Sequence, residues 1–236
     1  MPMKILATDY FEHNRKNNYV AWDYGYNLLN SCETNGIIFT NGDNDTFPLW
    51  YLQEVENIRT DVKVINLSLL NTPWYIEQLI RHDPQLEFDF SQNIFNNDLY
   101  MLDPWYATEA AFTLCGKKFN EDESWNKLEC ELKINSNTLS FNIRPTLIGR
   151  LLRVQDYMIL KIINDINIDR PIYFAATVAP NNQIGLDSYL TMEGMTYRVI
   201  LNKNKNEINS INYKKMKQNL TQSNLDKIII SKSDYN

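Results

Sequence analysis

Between Gly36 and Leu79 the chain repeats one pattern: a short β-branched run, a polar turn, and a proline that opens a helical stretch. The first pass reads IIFT (Ile37 to Thr40), NGDNDTF (Asn41 to Phe47) and then Pro48. The second reads VKVINLSLL (Val62 to Leu70), Asn71 and Thr72, and then Pro73. Short apolar runs of this kind are buried strands. Proline suits the first position of a helix because the N–H it lacks would have no partner there. Asp45 or Thr46 is therefore expected to cap a helix reaching about Val55, and Asn71 or Thr72 a helix carrying Trp74, Ile76 and Leu79. Strand, loop and capped helix, written twice, predict parallel βαβ units.

The flanking segments extend this reading. Ala21, Gly25, Leu28, Leu29 and Cys32 recur at helical spacing, which predicts a helix over 18–32. Residues 82–127 lack clean periodicity and read as an irregular insertion with one helix near Ala107 to Leu114. Residues 128–144 alternate polar and apolar about Asn135 to Asn137, as a β-hairpin does. Leu147 to Asp165 has the spacing of an amphipathic helix. PIYFAA (Pro171 to Ala176) is a third strand, GLDSYL (Gly185 to Leu190) a short helix and MTYRVIL (Met195 to Leu201) a fourth strand. The expected architecture is a soluble α/β domain over 1–201, Rossmann-like and three-layered, with a mainly parallel sheet and an inserted hairpin. Residues 202–236 read as a linker and helical tail that is cut short.

A chain of 236 residues is long enough to bury a sizeable core. Its net charge of −6 removes the basic footprint that nucleic-acid binding requires, so no nucleic-acid partner is expected. Three cysteines, Cys32, Cys115 and Cys130, form no framework and no Cys/His metal spacing, and leave room for one disulfide. No apolar run approaches the roughly 20 residues that cross a bilayer. The opening MPMKIL lacks the features of a signal peptide, so the chain is either cytoplasmic or a piece of something longer.

Chemistry concentrates in NGDNDTF. In open α/β sheets ligands bind beyond the carboxyl ends of the strands, where helix N-termini present free N–H groups. Asp43 and Asp45 supply carboxylates, Asn41 and Asn44 amides and Thr46 a hydroxyl, while Gly42 permits a tight or left-handed backbone. Two neighbouring acids call for a counter-charge or a divalent cation, which makes Asp43 and Asp45 the candidate metal ligands. Asn66, Ser68 and Asn71 at the end of the second strand, and Thr177 after the third, can join the same rim. The plainer reading is that these residues build a turn and cap a helix, as Asn, Asp and Gly commonly do. His13 and His82 are the only histidines, and no Ser/His/Asp set assembles around them.

The blocks NNYVAWDYGYNLLNSC, GIIFTNGDNDTFPLWYLQEVENIRTDVKVINLSLLNTPWYIEQL, RLLRVQDYMILKIIN and RPIYFAATVAP resemble the soluble C-terminal domain of a bacterial family of large membrane proteins, the protein O-mannosyltransferase-like proteins. The resemblance implies a multi-span N-terminal region of the glycosyltransferase C type, absent from this sequence, that uses a lipid-linked sugar. It further implies an extracytoplasmic position, with the membrane-embedded part of the same protein, an acceptor protein or glycan and the lipid-linked donor as partners. In that superfamily the catalytic acid lies between membrane spans, so no catalytic residue carries over here. The expected function is an accessory or binding domain of a membrane glycosyltransferase that transfers sugar to protein. Two others compete with it: a free-standing metal-dependent enzyme, a nucleotide-sugar transferase or phosphoesterase using Asp43 and Asp45, and a purely structural module.

Overall fold

The computed structural model describes residues 18–83, 86, 103–117, 128–143, 145–149, 151–166, 170–204 and 210–221. Helix α1 spans Val20–Asn30 and buries Gly25, Leu28 and Leu29. Strand β1, Ile37–Thr40, is buried along its whole length, as its β-branched and aromatic run requires. Helix α2 covers Asp43–Glu54, strand β2 Lys63–Asn66, and a 3₁₀ turn at Leu69–Asn71 leads into helix α3, Pro73–His82. Thr72 is the N-cap of α3 and Pro73 opens it, as expected.

Helix α4, Pro104–Leu114, lies within the segment expected to be an irregular insertion; most of the rest of that insertion lies outside the described residues. Asp103 caps α4 by accepting the Trp105 N–H at 3.0 Å. Strands β3, Leu128–Ile134, and β4, Asn137–Ile143, form the expected hairpin as a separate two-stranded sheet. It turns at Asn135, whose φ of +54° suits asparagine. The hairpin buries Cys130, Leu132, Ile134, Leu139, Phe141 and Ile143. A disulfide joins Cys115, at the end of α4, to Cys130, while Cys32 is a buried free thiol.

Helix α5, Val154–Ile166, starts later than its spacing suggests. Leu147 and Leu151 instead form an isolated bridge across a turn in which Ile148 and Gly149 have positive φ. The helix is fixed by Asp156, whose carboxylate accepts the Arg153 N–H at 3.0 Å. Strand β5 is Ile172–Ala175. GLDSYL yields only a 3₁₀ turn at Asp187–Tyr189, followed by β6, Leu190–Glu193, and β7, Thr196–Val199. A two-residue turn joins them, with Gly194 at φ +74°. Strand β8, Ser210–Ile211, and helix α6, Tyr213–Thr221, complete the described chain.

The six-stranded sheet runs β2-β1-β5-β7-β6-β8. It is mixed, not mainly parallel. β1 pairs parallel to both β2 and β5, whereas β7 is antiparallel to β5 and to β6. The hairpin β6–β7 brings the chain back beside β5, and tight hairpins can only be antiparallel. Phe39 and Phe174 meet across β1 and β5 with ring centroids 5.1 Å apart, and with Leu28, Leu49, Leu52, Ile65 and Met158 they belong to the core beneath the parallel half.

Candidate functional site

Because β1, β2 and β5 run in one direction, their carboxyl ends share one rim of the sheet. The loops that leave them, and the N-termini of α2 and α5, meet there. Helix α2 starts earlier than its sequence suggested. Gly42 is the N-cap, Asp43 the first helical residue, and Pro48 lies inside the helix rather than at its first position. The turn closes ahead of the proline because the Gly42 carbonyl accepts the Asp45 and Thr46 N–H groups at 3.2 and 3.0 Å and the Thr46 hydroxyl at 2.7 Å. Pro48 costs the bond its nitrogen would have donated. Its ring is accommodated because α1 presents Gly25, where an added Cβ would stand 3.1 Å from Pro48 Cβ and 3.0 Å from Leu52 Cδ1. Gly42 is extended, at φ −173°, and not left-handed.

The predicted residues separate into two rows. The inner row is bonded, with Asp45, Thr46 and Asn66 buried and Asn71 half-buried. Asp45 is 8 % exposed; its Oδ1 accepts the Tyr24 hydroxyl at 2.9 Å, and its Oδ2 the Thr177 hydroxyl at 2.7 Å and the Asn41 N–H at 3.3 Å. Thr46 Oγ1 stands 2.7 Å from Thr40 Oγ1 and accepts the Asn66 amide at 3.0 Å. Asn66 is fully buried; its Oδ1 accepts the Leu69 N–H, and the Tyr75 hydroxyl accepts its backbone N–H. Asn71 ties the 3₁₀ turn to α5, its Oδ1 accepting the Gln155 N–H at 3.0 Å.

The outer row is exposed. Asn41 Oδ1 accepts the Asn182 amide at 2.8 Å, and Ser68 donates its hydroxyl to the Asn41 carbonyl at 2.8 Å. The Asp43 and Asn44 side chains stand in water without a hydrogen bond among the described residues. Above Gly42 the space is nearly open, since an added Cβ would meet only Ser68 Oγ, at 3.9 Å. The rim continues through residues the sequence reading missed. Asn182 Oδ1 accepts Arg153 Nη2 at 2.7 Å, and the Arg153 guanidinium is held by buried Asp156, which also accepts the Thr146 hydroxyl. The one local signal was the Asp156 carboxylate three residues into a helix, a capping position.

Burial pushes the Tyr24 phenol up to about 12, with Asp45 adding to the rise and the Thr177 hydrogen bond opposing it. Tyr24 therefore remains a proton donor to Asp45 at ordinary pH. Asp43 and Asp45, two positions apart on a helix, point about 200° away from each other. Geometry keeps them apart: one accepts hydrogen bonds from three neutral donors, the other is solvated, and both lie at the positive end of the α2 dipole. Among the described residues no group of three or more His, Cys, Asp or Glu side chains could hold a metal ion. The rim offers free helical N–H groups, exposed amides, one solvated carboxylate and an anchored guanidinium. Groups of that kind are able to hydrogen-bond hydroxyl and anionic groups.

Fold and rim together define an α/β domain with a mixed sheet and polar loops gathered at the carboxyl ends of its parallel strands. The profile of the family described as TMEM260-associated domain 2 matches residues 21–98 and 121–220, well over half of the sequence, and the chain belongs to that family. Over 83 residues it is 30% identical to the protein O-mannosyl-transferase TMEM260 of Mus musculus, an alignment covering 35% of this chain and 12% of that protein. Over 70 residues it is 25% identical to the protein O-mannosyl-transferase tmem260 of Dictyostelium discoideum, covering 30% of this chain and 8% of that protein. The chain thus spans only about a tenth of the length of these curated relatives. No solved structure matches. The expected kinship with protein O-mannosyltransferase-like proteins is met at this level.

Proposed function

We propose that this chain is an extracytoplasmic accessory domain of a membrane glycosyltransferase that moves a sugar from a lipid-linked donor to protein. The parallel half β2-β1-β5 acts as its Rossmann-like ligand-binding part. The outer row, Asn41, Gly42, Asp43, Asn44 and Ser68, contacts the acceptor, the glycan or the donor head group. The inner row, Asp45, Thr46, Asn66 and Asn71, holds that surface in shape. The domain assists transfer; the bond-making acid belongs to a membrane region of the glycosyltransferase C type, in a bacterial protein of this kind.

The observation that carries the reading is the exposed polar row at the N-terminus of α2, in a segment the family shares. Two further points support it. The Cys115–Cys130 disulfide fits an oxidising compartment outside the cytoplasm. No described helix is long and apolar enough to cross a membrane, so a spanning region would be contributed by another part of the protein.

The test is a two-dimensional NMR titration of the chain with mannose-type glycans, and separately with Ca²⁺, Mg²⁺ and Mn²⁺, repeated on Asp43→Asn with Asn44→Ala. Saturable shifts at Gly42 to Asp45 that vanish in the variant are expected for at least one glycan. Shifts with cations alone would replace glycan recognition by a metal role for Asp43. Identical spectra for parent and variant throughout would leave only a helix start.

A further inference from the structure

Among the described residues, β2 is the edge strand of the six-stranded sheet. Its odd-numbered residues turn their backbone groups to β1: the Lys63 N–H donates to the Gly36 carbonyl at 2.8 Å and the Leu67 N–H to the Thr40 carbonyl at 2.9 Å. In a parallel ladder the residues between them turn outward. The flanking helices close both ends of this outward row. Gln53 of α2 donates its amide to the Val62 carbonyl at 2.6 Å, and Tyr75 of α3 accepts the Asn66 N–H at 3.0 Å. Between these caps the Val64 N–H and carbonyl have no partner among the described residues.

Val64 does not face open water. It lies in a groove of about 500 Å³ whose walls include Trp50 and Glu54 on α2 and Tyr75 and His82 on α3, with Lys63 on the floor. That volume falls within the roughly 300–1,000 Å³ of ligand-binding clefts. Lys63 is half-buried and makes no ion pair among the described residues. Burial pulls its ammonium below the ordinary lysine value; the charge of Asp83 opposes the fall, that of Arg170 adds to it, and that of Glu54 opposes it again. An edge lysine that deters strand pairing extends into water. This one is drawn into the groove beside the unpaired backbone.

We propose that the groove takes an extended polypeptide segment that adds to the edge of β2, exchanging both backbone hydrogen bonds with Val64 and setting an acidic side chain against Lys63. A donor and an acceptor on one residue, spaced as in a strand, match a peptide backbone. The unpaired cation selects the sign of the neighbouring side chain. Gln53 and Tyr75 limit the added strand to about three residues, at about 3.3 Å each, so recognition is of a short motif. This site is separate from the strand-end rim, because the groove lies toward the amino end of β2, and it stands whether or not the rim binds a glycan.

The experiment follows the Val64 amide in the ¹⁵N-labelled chain during titration with the blocked peptide acetyl-Val-Thr-Glu-Val-Thr-amide. A saturable shift at Val64 is expected, with millimolar or tighter affinity. Methylating the backbone nitrogen of the peptide's first Thr, which pairs with Val64 when the Glu stands opposite Lys63, should abolish it. Lys63→Gln should weaken binding about fivefold, as the loss of one partly exposed ion pair does. Gln78→Trp, on the exposed side of α3 at the groove mouth, should block it while leaving the core intact by circular dichroism. The proposal falls if the Val64 amide stays unmoved up to about 5 mM peptide. It falls equally if the methylated peptide binds as well, or if both variants bind like the parent.

Discussion

Asp43 stands in water at the first position of α2, while Asp45, two residues on, is buried with three donors on its carboxylate. The same split runs through the whole polar segment: Thr46 and Asn66 face inward and Asn44 and Ser68 outward. A run of Asn, Asp and Thr after a strand suggests one polar loop with one purpose. Helical geometry divides it into a row that builds the end of the sheet and a row that is left exposed. The inner row costs stability when altered; the outer row should cost ligand.

The largest effect is expected at Asn66. Replacing it with alanine strips the Leu69 N–H and the Thr46 hydroxyl of a partner and leaves a small void under the rim. Losses of this kind come to about 2–3 kcal/mol. Urea unfolding followed by tryptophan fluorescence should show the midpoint falling at unchanged slope. A loss below about 0.5 kcal/mol, the size of an ordinary surface change, would erase the distinction between the rows.

The inner row also carries a pH signature. Burial is the main reason that the Tyr24 and Tyr75 phenols are both pushed up to about 12 from the usual 10. A raised folded value means the protonated form is favoured by folding. The contribution is complete below about pH 10, the unfolded value, and disappears as pH rises toward about 12. Absorbance at 295 nm should therefore show a late-ionising group of tyrosines that includes Tyr24 and Tyr75. Stability should drop across the same window. Tyr24→Phe and Tyr75→Phe should each remove one late-titrating group.

The features legible in the sequence are those that local chemistry decides. β-branched runs gave β1, β2 and β5, alternation gave the hairpin, and Pro73 marked the start of α3. The same local rule failed at Pro48, because its place in α2 depends on Gly25 in another helix. It failed again at α5, where Leu147 to Leu151 fits a helical period but Ile148 and Gly149 turn the other way. Sheet order and the antiparallel pairing of β7 follow from a two-residue turn at Gly194, which the sequence pattern leaves between the GLDSYL helix and the MTYRVIL strand. Tyr24, Arg153 and Asn182 join the rim only through the fold, Asn182 reaching Asn41 from 141 positions away in the chain. No periodicity extends that far. The polar loop was found because its residue types are unusual after a buried strand, but which of its side chains remain free could be read only once the helix start was known.

The smallest expected change in stability tests the outer row. Asp43→Asn removes a charge from the positive end of the α2 dipole and touches no hydrogen bond among the described residues. Its cost is the dipole contribution alone, about 0.3–1 kcal/mol at low salt. Because a solvated charge is screened, the gap between parent and variant should shrink when unfolding is repeated near 1 M salt, where the Debye length is about 3 Å. A loss matching that of Asn66→Ala and insensitive to salt would mean that Asp43 has a structural partner, and the two rows would then be one. A small, salt-sensitive loss would instead leave a carboxylate, an amide and an uncovered helix N-terminus without structural duty. On that result any change in ligand response caused by Asp43→Asn reflects lost contact and not lost fold.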